Sequence, residues 1–188
     1  MKRLLIALVA AAFLFACNNE KKTDETAGKT EEKKESAAIA YPYKAAYSSD
    51  FSIGDANHSK MVLELYKMWE DNKVDEMKTL LADSVSIDFP DGFKFNDNKV
   101  DSMISFAKQF RATLSSVKVM MDGWMPVHAN DANEDYVLVW SRDYSTDLSG
   151  KVDSARVHAY FLIKNNKISS WSEFQQKLTP PPPLPAKK

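Results

Sequence analysis

"ARVHAYFLIKNNKISSWSEF", residues 155–174, decides the fold. Two runs rich in β-branched and aromatic residues flank Asn165-Asn166. Asn accepts the left-handed backbone region, so this pair reads as a two-residue turn between antiparallel strands. Pairing continued outward from that turn sets Tyr160 opposite Trp171 and His158 opposite Glu173. Directly opposed side chains have Cβ atoms about 4.5–5.5 Å apart, close enough for a His–Glu pair to interact. The other face carries Val157, Ala159, Phe161, Ile163, Ile168 and Phe174. On hydrophobicity alone that second face is the core, and His158 and Glu173 lie outside it.

Working back from the hairpin, "DLSGK" at 147–151 is a turn with Gly150 where positive φ is needed, and "YVLVWSRDYST" at 136–146 is a long strand. Arg142 and Asp143 on that strand read as surface charges. "HANDANED" at 128–135 is a turn-rich loop, and Val117, Val119 and Met121 alternate with polar or flexible neighbours as a further strand. Before residue 116 the period is helical. Val100, Met103, Ala107, Phe110 and Leu114 form one stripe of a helix. Val85, Ile87 and Phe89 alternate with Ser86 and Asp88 as a half-buried strand, which Pro90-Asp91-Gly92 ends. Asn72 is placed to cap a helix carrying Met77, Leu80 and Leu81. Met61, Val62, Leu65, Tyr66 and Trp69 predict a helix over about 58–71. Helices that come first and long antiparallel strands that come after them make an α+β chain, with the helices covering one face of a curved sheet.

The flanks are of another kind. Lys2 and Arg3 precede an apolar run, Leu4 to Phe15, too short for a stop-transfer helix. It ends in Leu14-Phe15-Ala16-Cys17, which resembles the lipobox of bacterial lipoproteins. The resemblance implies cleavage before Cys17 and lipid on its sulfur. An ordinary secretory signal cut nearby is the alternative. Cys17 is the only cysteine, which excludes an internal disulfide and any Cys-based metal cluster. Residue 18 is Asn rather than the Asp that resembles an inner-membrane retention signal, which favours anchoring to the bacterial outer membrane. "NNEKKTDETAGKTEEKKES", residues 18–36, holds no large apolar residue and reads as a disordered tether. Tyr41, Tyr43, Tyr47 and Phe51 are too aromatic for a free linker and are expected to lie over the domain surface. "TPPPPLPAKK", residues 179–188, cannot continue a sheet. The layout is therefore a signal peptide at 1–16, a lipidated Cys and tether at 17–50, a domain at 51–178 and a Pro-rich tail at 179–188. The net charge is −1 and becomes two units more negative without Lys2 and Arg3, which argues against a nucleic-acid surface.

"VLELYKMWEDNKVDEMKTLLADSVSIDFPDG" and "AYFLIKNNKISSWSEF" together resemble the nuclear transport factor 2-like superfamily, in its SnoaL-like branch. The resemblance spans roughly residues 57–176. It implies a cone: a bent antiparallel sheet wrapped around helices, with a pocket at the open end. Steroid-isomerase members place a general-base Asp immediately before the Pro that comes after the first strand. Here Phe89 stands before Pro90, and a phenyl ring accepts no proton. The helix position of their oxyanion-donor Tyr corresponds to Leu65, with Tyr66 rotated about 100° around the helix. Polyketide-cyclase-like members use an acid on the closing strand, and Glu173 matches that position in type.

The resemblance puts the His158/Glu173 face inside the cone, while the apolar pattern puts it outside. Three functions stay open. The chain is a lipid-anchored envelope protein binding a small apolar or aromatic ligand, with Trp69, Phe89, Trp124, Trp140, Tyr160 and Trp171 as its candidate lining. Or it is a cyclase- or isomerase-like enzyme in which His158 and Glu173 act as general acid and base. Or it is a non-catalytic module that forms a homodimer through the exposed sheet face. His58, His128 and His158 lie far apart in sequence, no His-x-x-x-His occurs and no Gly-rich phosphate loop exists, so neither a metal nor a cofactor is implied.

Overall fold

The computed structural model describes residues 39–95 and 99–179. The leader, Cys17, the tether at 18–36 and the tail beyond Thr179 lie outside the described residues. The fold belongs to the compact unit that begins at Tyr41.

A short strand, β1 (Phe51–Ile53), precedes helix α1 (Ala56–Glu70). Asp55 caps α1, accepting from the Asn57 N–H at 2.8 Å. Val62 and Leu65 are buried along its inner stripe, with Tyr66 and Trp69 half-buried beside them. The helix stops at Asn72, and no new helix starts there. Asn72 sits at φ 58°, its N–H donates to the Trp69 carbonyl at 3.3 Å, and the Lys73 N–H donates to the Met68 carbonyl at 2.8 Å. Those two bonds satisfy the last carbonyls of α1 in a Schellman arrangement, which corrects the expectation that Asn72 caps a second helix. In place of that helix the chain makes a single 3-10 turn, Glu76–Thr79. The sheet then captures the chain: the Ile168 N–H donates to the Leu80 carbonyl at 3.0 Å, and Leu81 opens strand β2 (Leu81–Asp88). After β3 (Lys94–Phe95), helix α2 (Val100–Arg111) buries Val100, Met103, Ile104 and Ala107. Phe110 stays exposed and Leu114 belongs to the next strand, so the apolar stripe predicted there is one turn too long.

Four long strands complete the chain: β4 (Leu114–Ala129), β5 (Glu134–Asp147), β6 (Val152–Lys164) and β7 (Lys167–Lys177). His128, Ala129, Glu134 and Asp135 are strand residues, which shortens the predicted loop to four residues with Asn133 at φ 52°. Among the described residues the sheet runs β1-β4-β5-β6-β7-β2-β3. Every neighbour is antiparallel except β2 with β7. The sheet is open and curved, with the two helices in its concave face. Phe161, Ile87, Met103, Val62, Val137 and Val139 form the most deeply buried part of the core between them. Arg111, buried at the end of α2, binds the layers together. Its guanidinium donates to the Trp69 carbonyl at 3.2 Å and to the Leu114 carbonyl at 2.9 Å.

The decisive hairpin folds as expected at its turn and differently beyond it. Asn165 and Asn166 take φ 52° and 55°, and Lys164 pairs with Lys167 and Ile163 with Ile168. A bulge comes next. Leu162 pairs with Ser170, so Ser169 is an extra residue in β7, its hydroxyl donating to the Leu162 carbonyl at 3.1 Å. Every later pair is shifted by one: Phe161 faces Trp171, Tyr160 faces Ser172, Ala159 faces Glu173 and His158 faces Phe174. The expected His158–Glu173 and Tyr160–Trp171 pairs do not form. The apolar pattern of β6 identified its core side, since Val157, Ala159, Phe161 and Ile163 are buried. Phe174 does not join them and is exposed on the convex face.

Both turn residues occupy the left-handed region, where a β-branched side chain costs about 1–2 kcal/mol. Asn165→Val should lower domain stability by that amount, while Asn165→Gly should stay close to the natural chain. Urea unfolding midpoints check this, and equal midpoints for the two variants would contradict the turn assignment.

Candidate functional site

Between the helices and the concave face lies a cavity of about 680 Å³. Its exposed rim includes Asp91 and Phe93 in the turn after β2, and Asp153 and Lys177 where β6 begins and β7 ends. Its inner end is aromatic. Phe161 and Trp171 stack with centroids 5.7 Å apart, and Tyr66 meets Phe161 edge-on at 5.7 Å. Phe89, Phe93 and Phe106 cluster at 5.7–5.9 Å on the α2 side. Into this apolar wall the sheet places two carboxyl groups. Asp143 on β5 and Glu173 on β7 both lie on the concave side, in the rows of Ala155 and Ala159 respectively. Asp143 accepts from the Ser141 hydroxyl at 2.6 Å, and Glu173 accepts from the Trp171 indole N–H at 3.1 Å. The Tyr66 hydroxyl is buried and has no hydrogen-bond partner among the described residues.

Burial disfavours the ionised forms. It pushes Asp143 up to about 6, against the opposing effect of the Ser141 hydrogen bond. It pushes Glu173 up to about 7, with the charge of Asp143 adding to the effect and the Trp171 bond opposing it. Burial first, then the charges of Glu173 and Asp143, hold the Tyr66 hydroxyl well above the ordinary phenol range. At neutral pH the cone therefore contains an acid and a base of similar strength beside a protonated phenol.

No protein-family model and no curated protein sequence matches the chain. Solved structures do. An epoxide hydrolase of the LEH-like type from M. tuberculosis superposes with a TM-score of 0.53 at 12% identity, over 63% of this chain and 82% of its own. An NTF2-like protein of unknown function from Burkholderia pseudomallei gives 0.53 at 14% identity, over 65% and 92%. Another, from Exiguobacterium, gives 0.51 at 13% identity, over 62% and 98%. The chain carries the nuclear transport factor 2-like fold.

Within that fold the residues singled out from sequence divide between two surfaces. Trp69, Phe89, Trp171 and Glu173 line the cone. Trp140, His158 and Tyr160 lie on the convex face. There the His158 ring stacks between Trp140 at 5.2 Å and Phe174 at 6.2 Å, and Tyr160 continues the strip at 6.1 Å from Phe174. His158 Nδ1 lies 3.2 Å from the Val139 carbonyl oxygen, which only accepts, so this nitrogen carries the proton. Trp124 pairs with Val139 but is half-exposed and stands apart from the cavity wall. The reason is the bulge: one inserted residue turns Trp171 and Glu173 inward and leaves His158 outside. The expected His158–Glu173 pair does not form, and the acid that shares the concave face with Glu173 is Asp143.

Sequence reasoning missed Asp143 and Tyr66, and both had a signal. On β5 the odd residues Val137, Val139 and Ser141 face inward, and Asp143 continues their alternation. Arg142 points the other way, in a two-bond pair with Asp122 at 3.0 and 2.7 Å. Tyr66 comes four positions after Val62 on α1 and three before Trp69, so it shares their face.

Carboxyl groups whose folded pKa is raised bind protons that the unfolded chain releases. Their contribution to stability is complete below about pH 4, near the ordinary values of 3.8 and 4.5, and is lost as pH rises through about 6 and about 7. For Glu173 the loss is on the order of 2–3 kcal/mol. Unfolding midpoints should therefore fall between about pH 4 and pH 8, and Glu173→Gln should flatten most of that slope. An unchanged slope in the variant would show that Glu173 is not desolvated as described.

Proposed function

We propose that this chain is a lipid-anchored cell-envelope protein whose cone binds a small apolar or aromatic ligand. One observation carries the proposal: a cavity of about 680 Å³ whose largely aromatic walls converge on three polar groups, Tyr66, Asp143 and Glu173. Ligand sites are concave, mostly apolar and of about 300–1,000 Å³, with a few placed polar groups that fix orientation. Trp69, Phe89 and Trp171 supply flat contact area, and the three polar groups supply direction. Mass spectrometry of compounds released from the denatured chain should find such a ligand. If none is released and no small aromatic compound changes the tryptophan fluorescence, the proposal fails.

The raised pKa values of the two carboxyl groups favour a second reading, an acid/base enzyme of cyclase or isomerase type. Its working pair is Glu173 and Asp143, with His158 outside the site. Two carboxyl groups whose environments set them near neutrality suit general acid and general base work. The epoxide hydrolase that shares the fold supports enzymatic use of such a cone without specifying it here. In this reading Glu173→Gln abolishes turnover of whatever the cone binds, while in the binding reading it leaves a neutral ligand in place.

The anchor rests on Leu14-Phe15-Ala16-Cys17 and on the absence of any other cysteine. Several acyl chains at Cys17 hold a protein at a membrane, each buried methylene adding about 0.8 kcal/mol. Cys17→Ser should release the chain from the membrane fraction. Retention of that variant, with no lipid mass on the natural chain, would refute the anchor.

A further inference from the structure

The charge of the cavity wall is unbalanced. Among the described residues Asp91, Asp143, Asp153 and Glu173 face it, against one cation, Lys177. Lys177 stands at the mouth with its ammonium 3.4 Å from Asp153, so its charge is already matched there. Asp91 is at the rim, where its carboxylate accepts from the Phe93 N–H at 2.9 Å in the turn. Deeper in, Asp143 and Glu173 have neutral partners only, Ser141 and the Trp171 indole, and no Lys or Arg reaches either among the described residues. The nearest basic residue in sequence, Arg142, is turned to the convex face and held by Asp122. The groups facing the two acids are thus Tyr66 from α1, Ser141 from β5 and Trp171 from β7. A buried carboxylate without a cation nearby is costly, and proteins ordinarily pair such groups. The Tyr66 hydroxyl, buried and unpartnered, adds a second polar atom that the fold itself leaves unsatisfied. The walls around these groups are aromatic, Phe106 and Trp171 among them, and aromatic rings attract a cation through their quadrupole, as Trp69 already does with the Arg111 guanidinium 5.9 Å from its centroid.

We infer that the ligand of the cone is an organic cation, an amine or ammonium group on an apolar or aromatic body. Its charged head sits between Asp143 and Glu173, and its body lies against the aromatic walls. This rests on the ligand-binding reading of the same cone and sharpens it. An amine head supplies the positive charge that neither acid finds in the protein, and its N–H groups reach acceptors that neutral molecules leave half-used. A carboxylate ligand is disfavoured by the same charges.

Because both acids bind protons near neutrality, the cation competes with protons for them. Binding at neutral pH releases protons, and affinity rises with pH until both groups are ionised.

Three probes alike in ring and length separate the outcomes: phenethylamine, phenethyl alcohol and hydrocinnamate, titrated calorimetrically into the full chain. At about pH 8 the amine should bind about tenfold or more tighter than the alcohol, and hydrocinnamate should bind weakest. At about pH 5 the advantage of the amine should vanish, and at neutral pH its binding heat should vary with buffer ionisation enthalpy. Asp143→Asn and Glu173→Gln should each weaken the amine, with circular dichroism confirming that both variants fold. If the alcohol binds as tightly as the amine at the higher pH, or both variants hold the amine unchanged, the cation inference falls and the ligand-binding reading stands. If none of the three binds, both fall.

Discussion

Side chains of a strand alternate between its two faces, and β7 has to obey that rule on both sides of Ser169. Near the turn, Ile168 points into the core and is fully buried. Without an extra residue the same parity would continue to Ser170, Ser172 and Phe174, and Trp171 and Glu173 would face outward. The inserted Ser169 resets the count. The bulge is held by the Ser169 hydroxyl on the Leu162 carbonyl, and from there Trp171, Glu173 and Gln175 point into the cone. The aromatic end, the acidic group on β7 and the stacking partner of Phe161 all depend on that reset. So does the convex strip, because Phe174 becomes the neighbour of His158 and closes its stack with Trp140.

The two acids set the character of the interior. A cone lined only by Phe, Trp and Val would be a more stable core. Asp143 and Glu173 instead spend stability, since burial holds them toward their protonated forms. A surface with solvent access would hold two carboxylates at no such penalty. Their placement in a cavity wall, with Tyr66 unpartnered among the described residues, is what supports reading the cone as a binding site. The neutral partners matter equally. Ser141 and the Trp171 indole each give one hydrogen bond, which orients a carboxylate without neutralising it.

Much of the fold was legible because its signals are local. The period of α1, the Asn-Asn turn and the order of helices before long strands each arise from residues close in sequence. Asn72 was readable in two ways, since Asn serves both as an N-cap and as a left-handed helix stop. The choice was made by the sheet, which engages Leu80 and Leu81 before a second helix can propagate. The bulge left a fainter trace. "ISSW" offers two adjacent serines where either register is sterically acceptable, and the long-range gain of stacking Trp171 on Phe161 selects one. Asp143 was hidden by its neighbour. "SRDY" resembles exposed charge, and only strict alternation separates the outward Arg142 from the inward acid.

The division between the two faces has a chemical logic. On the convex side, rings stack on one another, Arg142 is paired with Asp122, and the His158 Nδ1–H points to the Val139 carbonyl. That face offers flat aromatic contact. On the concave side the rings surround two acids with no cationic partner and an unpartnered Tyr66 hydroxyl among the described residues. A ligand that merely filled space would gain from Trp69, Phe89 and Trp171 and leave Asp143 and Glu173 as costly as before. A ligand bearing positive charge gains from the rings and also relieves the acids, so the same cavity discriminates by charge as well as by shape. Selectivity of that kind needs no additional residue. It arises from placing two acids on one concave face, in rows separated by that of Ser141 and Val157, with no cation paired to either among the described residues.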